Sequence, residues 1–180
     1  MSAETEKRTG LISRVSGPLV EARGLKDAEM HEMMEVGPDG LIGEVIKLDG
    51  PVATIQVYEH TGGLQPGDPV SPAGHPMSLK LGPGLLGNIF DGIQRPLVEL
   101  DEQSGAFIRP GEKAAPLDPD AQWHFTPRAE EGQQLERGEP YGLVEETRAT
   151  DHLLMVPPHT AGTVRSIQPE GDYTIDEKAR

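Results

Sequence analysis

Glycine and proline punctuate this chain so densely that long regular elements are excluded: 22 glycines and 17 prolines stand among 180 residues, about one position in five. Glycine weakens a helix interior and proline breaks it, so a bundle of long helices is ruled out. The fraction stays below the level of roughly 25–30% that marks low-complexity chains. With 35% of residues hydrophobic, a packed core can form. The length fits one domain or two small ones. One Trp, three Tyr and three Phe leave the core to Val, Ile, Leu, Ala and Met. They also leave little from which to build a base-stacking platform.

Sixteen basic against 30 acidic residues give a formal charge of −14. Nucleic acids and anionic lipid surfaces both require a basic face, so neither is an expected partner, while basic or metal-bearing partners stay open. There is no cysteine, which removes disulfides, thiolate metal sites and Cys nucleophiles. The N-terminus, Met-Ser-Ala-Glu-Thr-Glu-Lys-Arg, is polar, and no apolar run behind it is long enough for a signal peptide or a membrane span. A soluble, cytoplasmic chain with no membrane insertion is the expectation.

From Thr9 onward, short β-branched runs alternate with turn dipeptides. Gly10 to Val15 and Leu19 to Ala22 read as strands around Ser16-Gly17-Pro18. Ala28 to Val36 fits either strand or helix, because Met30, Met33 and Met34 satisfy a 3.6 period. Leu41 to Leu48 and Val52 to Tyr58 flank Asp49-Gly50-Pro51, a strong hairpin signal. Short strands are expected near Pro69 to Ser71 and at Met77 to Leu81. About six such strands without a long helix predict a small closed barrel. A Gly-rich connector covers Gly82 to Gly92, and a short helix is expected from Pro96 to Gln103, ended by Gly105. Beyond it, Trp123 to Phe125, Tyr141 to Glu145, Leu153 to Val156 and Thr163 to Ile167 read as strands of a second β-rich unit. The fold class is therefore all-β: a six-stranded N-terminal barrel, one short connecting helix and a barrel-sandwich-like second domain. The expected division is a disordered 1–9, a barrel over 10–76, a connector over 77–98, the second unit over 99–176 and a tail at 177–180. Gly63-Leu64-Gln65-Pro66-Gly67-Asp68-Pro69 is echoed by Gln134-Leu135-Glu136-Arg137-Gly138-Glu139-Pro140; both read as a turn presenting Gly-acid-Pro before a strand.

No self-contained active site is legible in these residues. A Walker A loop needs Gly-Lys, and the chain has none; the cluster Gly82-Pro83-Gly84 with Gly87 reads as a linker because proline removes amide donors. His31-Glu32-Met33-Met34-Glu35 begins like a zinc-protease helix but has Glu where the second histidine belongs. His60, His75, His124, His152 and His159 show no ligand spacing. Asp118-Pro119-Asp120 lacks the Gly and distal Glu of a calcium loop and reads as a turn. Ser16 has no nucleophile-elbow glycines. The pairs Asp101-Glu102, Glu130-Glu131 and Glu145-Glu146 read as solvated surface. No catalytic, cofactor-binding or metal residue is therefore expected. The rhythm of the second unit resembles biotinyl and lipoyl carrier domains, but past residue 100 only Lys113 and Lys178 are available, and neither falls in a central hairpin. A freestanding barrel-type binding or carrier domain is the alternative.

Five stretches carry a family resemblance: Val15-Ser16-Gly17-Pro18-Leu19-Val20, Gly40 to Ile46, Thr54 to Glu59, Leu81 to Leu86 and Phe90-Asp91-Gly92-Ile93-Gln94-Arg95-Pro96-Leu97. In order and without large gaps, from about Gly10 to about Ile175, they resemble the catalytic A subunits of V-type and archaeal-type ATPases or ATP synthases. The resemblance implies that the first part is the crown barrel of a hexameric ring with B subunits, working in ATP-coupled ion transport at the cytoplasmic face of a membrane. It implies that the second is the bulge, or non-homologous region, reaching toward a peripheral stalk. Family members use ATP and magnesium, but the Walker lysine, catalytic carboxylate and magnesium ligands have no counterpart in these residues. The chain alone is expected to be catalytically inactive. Met30, Met33 and Met34 and exposed barrel edges are the expected partner surface of the first unit, and the acidic clusters that of the second.

Overall fold

The structure, a computed structural model, describes residues 9–105 and 107–177. The N-terminal stretch expected to be disordered lies outside these apart from Thr9, as do Lys178 and the rest of the tail after Glu177. Two units form: one takes the chain through Leu79 and then Ser104–Lys113, the other Lys80–Gln103 and the chain from Ala114.

In the first unit, β1 (Gly10–Ser16), β2 (Leu19–Arg23), β3 (Glu32–Val36), β4 (Leu41–Asp49), β5 (Val52–Val57) and β6 (Pro69–Pro76) close into an antiparallel barrel in the order β1-β2-β5-β4-β3-β6. The hairpin at Asp49-Gly50-Pro51 joins β4 to β5, with Asp49 opposite Val52 and Gly50 at a φ of 55°. Alternation along each strand turns Ile12, Val20, Ala22, Met34, Val36, Leu41, Val45, Ile55, Val57 and Val70 into one buried cluster. A barrel of this size has an interior just wide enough for side chains, and aliphatic residues fill it without aromatics. Gly43 belongs to that fit: a Cβ there would stand 2.7 Å from Ile55 Cγ2 and 3.0 Å from Gln56 O.

Three expectations change here. Ala28 to Val36 resolves as a turn followed by β3, whose pairing with β4 is regular, so Met34 joins the barrel core while Met33, on the other face of the strand, is buried outside that cluster. Met30 alone of the three methionines is exposed, so they form no common partner face. The barrel closes through the pairing of Gly10 and Leu11 of β1 with Val70 and Pro69 of β6. At Met77 to Leu81 there is no strand: β6 runs instead to Pro76, and the Gln94 side chain satisfies the Lys80 backbone in both directions, accepting from its N–H at 2.8 Å and donating to its carbonyl at 2.7 Å.

Helix α1 (Leu97–Ser104), in the second unit up to Gln103, buries Leu100 and ends at Gly105, whose φ is 70°. β7 (Trp123–Pro127), β9 (Pro140–Thr147), β10 (Thr150–Met155) and β12 (Gly171–Tyr173) make a sheet in the order β10-β9-β7-β12, and β8 (Gln134–Leu135) pairs with β11 (Gly162–Thr163). The run expected at Thr163 to Ile167 thus pairs over a much shorter length; beyond it the Val164 backbone clasps the turn at Gly132-Gln133. Leu117, Phe125, Ala129, Leu135 and Val144 are buried with Leu100. Gly142 leaves room for the Phe125 ring, which a Cβ would meet at 2.2 Å.

The echoed turns share their bonds as well as their letters. Gln65 N–H donates to Asp68 Oδ2 (2.9 Å) and Gly67 N–H to the Ile12 carbonyl (2.8 Å). Glu136 N–H donates to Glu139 Oε2 (2.8 Å) and Gly138 N–H to the Val156 carbonyl (3.0 Å). Glu29 to Glu32 repeats the pattern, Glu29 N–H reaching Glu32 Oε2 at 3.0 Å and His31 N–H the Val45 carbonyl at 2.9 Å. There His31 holds the left-handed position, with φ 67°, that glycine takes in the others.

Candidate functional site

Local turn chemistry sets the polar sites of this chain, and each is largely satisfied by the chain itself. The Gly-rich connector shows this best. Gly84, with φ 101°, aims its N–H together with that of Leu86 at a single acceptor, the arrangement a bound anion would exploit. That acceptor is Glu146 Oε1, at 2.8 and 3.1 Å, while Glu146 Oε2 meets His152 Nδ1 at 3.2 Å. Burial pushes the Glu146 carboxyl up, but the amides of Leu86 and Gly84 and the His152 ring outweigh it and hold it below the ordinary range. Of the pair Glu145-Glu146, then, Glu145 is solvated surface while the Glu146 side chain is only 4% exposed and fastens the connector.

The next segment is held as tightly. Asp91 Oδ1 accepts from the N–H groups of Ile93 (3.0 Å) and Arg95 (2.8 Å), and Oδ2 from Arg95 Nε (2.7 Å). Partial burial raises the Asp91 carboxyl, and these three donors together bring it below its usual value. Gln94, between them, is forced to a φ of 63°.

On the barrel exterior, Glu44 accepts from His31 Nδ1 at 2.6 Å and from the Tyr58 hydroxyl. The Tyr58 bond and then His31 lower the Glu44 carboxyl, and the Tyr58 phenol is pushed up to about 12 by Glu44 and by burial. On the second unit, His124 Nδ1 meets Asp172 at 2.9 Å and Nε2 meets Glu170 at 3.2 Å, and both carboxylates raise its pKa. Two acceptors on one ring require the doubly protonated imidazolium.

The remaining candidates fall elsewhere. His31-Glu32-Met33-Met34-Glu35 is a turn and a strand, not a helix. Asp118 accepts from the Asp120 N–H at 2.9 Å and makes the expected turn. His75 Nδ1 lies 2.8 Å from the Pro76 carbonyl. Lys113 pairs with Glu35 at 2.5 Å within the first unit and is at no hairpin tip of the second. Among the described residues, no group of three or more His, Asp or Glu is placed to hold a metal ion, and no helix is long and apolar enough to cross a membrane. Sequence reasoning missed Glu146 and Asp91 as anchors; the only local signal was Asp91-Gly92, a turn dipeptide that favours side-chain capping of the backbone.

Residues 12–74 match the ATP synthase alpha/beta family, beta-barrel domain, and residues 114–179 the ATP synthase alpha/beta subunit barrel-sandwich domain. Among curated relatives, the A subunit of the A-type ATP synthase of Methanopyrus kandleri is 48% identical over 93% of this chain and 28% of its own length. Its counterpart in Staphylothermus marinus is 50% identical over the same shares, and that in Metallosphaera sedula 45% over 93% of this chain and 29% of its own. The chain therefore spans less than a third of the length of the relatives it matches. It belongs to the ATP synthase alpha/beta family, carrying that family's β-barrel domain followed by its barrel-sandwich domain, and matches the N-terminal part of the A subunits of A-type ATP synthases.

Proposed function

We propose that this chain is the assembly region of the catalytic subunit in a rotary A- or V-type ATP synthase. Its barrel packs beside those of B subunits in the crown of the ring, its second unit contacts the peripheral stalk, and the assembled machine couples ATP to ion transport at the cytoplasmic face of a membrane. One observation supports this above the rest: the barrel is filled solid with aliphatic side chains, while outside it Leu11 (55% exposed), Leu19, Ile46 and Leu48 remain open to a neighbour. Exposed aliphatic positions on a barrel whose interior is occupied by its own side chains suit contact with another protein.

The ATP and magnesium of the longer relatives do not fit these residues. The amides of Gly84 and Leu86 already serve Glu146, and no lysine follows the glycines closely, so no step of nucleotide chemistry is assigned to this region. Mixing the chain with a B-type subunit tests the proposal by native mass spectrometry. A complex at micromolar concentration, weakened about tenfold by Leu11→Glu, is expected from losing one buried aliphatic contact and inserting a charge. No complex with the parent chain sinks the assembly role. Saturable binding of Mg-ATP by the chain alone, seen by calorimetry, would overturn the reading that this region takes no part in nucleotide chemistry.

A further inference from the structure

Trp123, the chain's one tryptophan, stands at the start of β7 with its indole Nε1–H buried and no acceptor for it among the described residues. With Phe125, Tyr141, Leu154, Tyr173 and Ile175 it lines a hollow of about 380 Å³ within the second unit. Four of the chain's seven aromatic side chains therefore share one apolar cavity. One wall is fixed: Tyr173 meets Phe125 edge-on with centroids 6.1 Å apart, and its hydroxyl donates to the Pro169 carbonyl at 3.1 Å. The volume lies within the range of roughly 300–1,000 Å³ typical of recognition pockets.

The charge around the hollow selects among occupants. Its lining includes Asp176 and Glu177 against one cation, Lys80. Across Lys80–Gln103 and Ala114–Glu177, seventeen carboxylates face six Lys and Arg side chains. An anionic or neutral occupant forgoes that field, whereas a basic one is steered in by it.

We propose that the hollow docks an extended basic segment of a partner protein. One apolar or aromatic side chain seats against Trp123 and Tyr173, and a flanking Lys or Arg meets Asp176 and Glu177. This deepens the assembly reading and rests on it only for the identity of the partner, since the recognition itself is measured with a free peptide.

Because Trp123 is the sole tryptophan, its fluorescence reports the hollow directly. The full chain is titrated with acetyl-Lys-Lys-Leu-Phe-Lys-Lys-amide and with its Glu-flanked counterpart, acetyl-Glu-Glu-Leu-Phe-Glu-Glu-amide. A saturable shift of the Trp123 emission is expected with the basic peptide. Binding should be at least about tenfold weaker for the acidic peptide and about threefold weaker for Asp176→Asn at low salt, the scale of single screened charge contacts. Asp176→Asn changes no hydrophobic packing, and its circular dichroism checks that it folds as the parent does. No saturable change below about 1 mM, the weakest regime of specific recognition, or equal binding of the two peptides, overturns the proposal. So does an emission shift that grows with chain concentration in the absence of peptide, which would make a second copy the occupant. If the B-type complex forms while Trp123 stays unresponsive to peptide, the hollow is sunk and the assembly reading stands; peptide binding without that complex does the reverse.

Discussion

Glu146 is a carboxylate whose partners are mainly backbone: Gly84 N–H, Leu86 N–H and, on its other oxygen, His152. Replacing it by alanine removes the charged acceptor of two connector amides, Gly84 part-buried and Leu86 exposed, and a hydrogen bond to a charged group contributes about 1.5–3 kcal/mol. Glu146→Ala is therefore expected to lower the urea unfolding free energy by about 2 kcal/mol, and Glu146→Gln, which retains an acceptor oxygen, by less. The pH dependence has a definite sign. Because the folded-state value lies below the ordinary 4.5, the ionised Glu146 stabilises the fold fully above that pH, and the contribution fades as pH falls through the folded value. On acidification below about 4.5 the parent should lose stability more steeply than Glu146→Gln. Parallel curves for the two proteins would remove Glu146 as an anchor. His31 makes a related residue-scale point: a β-carbon in a left-handed turn is strained, and its imidazole is held there by Glu44.

At the scale of elements, β3 closes the barrel by pairing with both β4 and β6, and Met34 on it is fully buried. Met34→Ala should cost about 2–5 kcal/mol in chemical denaturation, because a cavity inside a six-stranded barrel has little freedom to collapse. A loss below about 1 kcal/mol would mean that the interior repacks like a fluid, against the density expected of a core. β3 also shows what could be read from the letters. The Asp49-Gly50-Pro51 hairpin was legible because turn and alternation are both local, and so was α1, bracketed by Pro96 and Gly105. The three methionines misled because Met30 lies in the turn that ends at the positive φ of His31, and strand alternation along β3 then sends Met33 and Met34 to opposite faces, a period their letters do not choose. The strand expected at Met77 to Leu81 failed because a side-chain amide 14 residues away took over the Lys80 backbone. The polar anchors were illegible for the same reason at longer range: Gly84 and Glu146 are 62 positions apart.

For the molecule as a whole, the path of the chain matters more than either unit. After leaving the barrel at Leu79 it returns with Ser104–Lys113 before departing again. On that return Glu59 Oε2 accepts from Gly111 N–H at 3.0 Å, Lys113 pairs with Glu35, and Gly111, at φ 73°, lies so close that a Cβ would be 2.0 Å from the Asp39 carbonyl oxygen. Both the backbone conformation and the space there demand glycine. Gly111→Ala in the full chain is expected to destabilise the barrel unit by about 2 kcal/mol, read as an earlier urea transition, whereas Gly17→Ala, with nothing near its Cβ, should cost only the strain of its φ, about 1 kcal/mol. Equal effects would show that the returning segment presses on nothing.

That return sets a timetable for the newborn chain. A ribosome delivers residues from the N-terminus, and all six barrel strands are complete at Pro76. Lys113, which reaches back 78 positions to Glu35, emerges only after the connector and α1. The barrel must therefore wait, closed but unclasped, for a late-arriving stitch. Translation pauses between about Leu79 and Lys113 would lengthen the interval in which it is most exposed to chaperones and proteases.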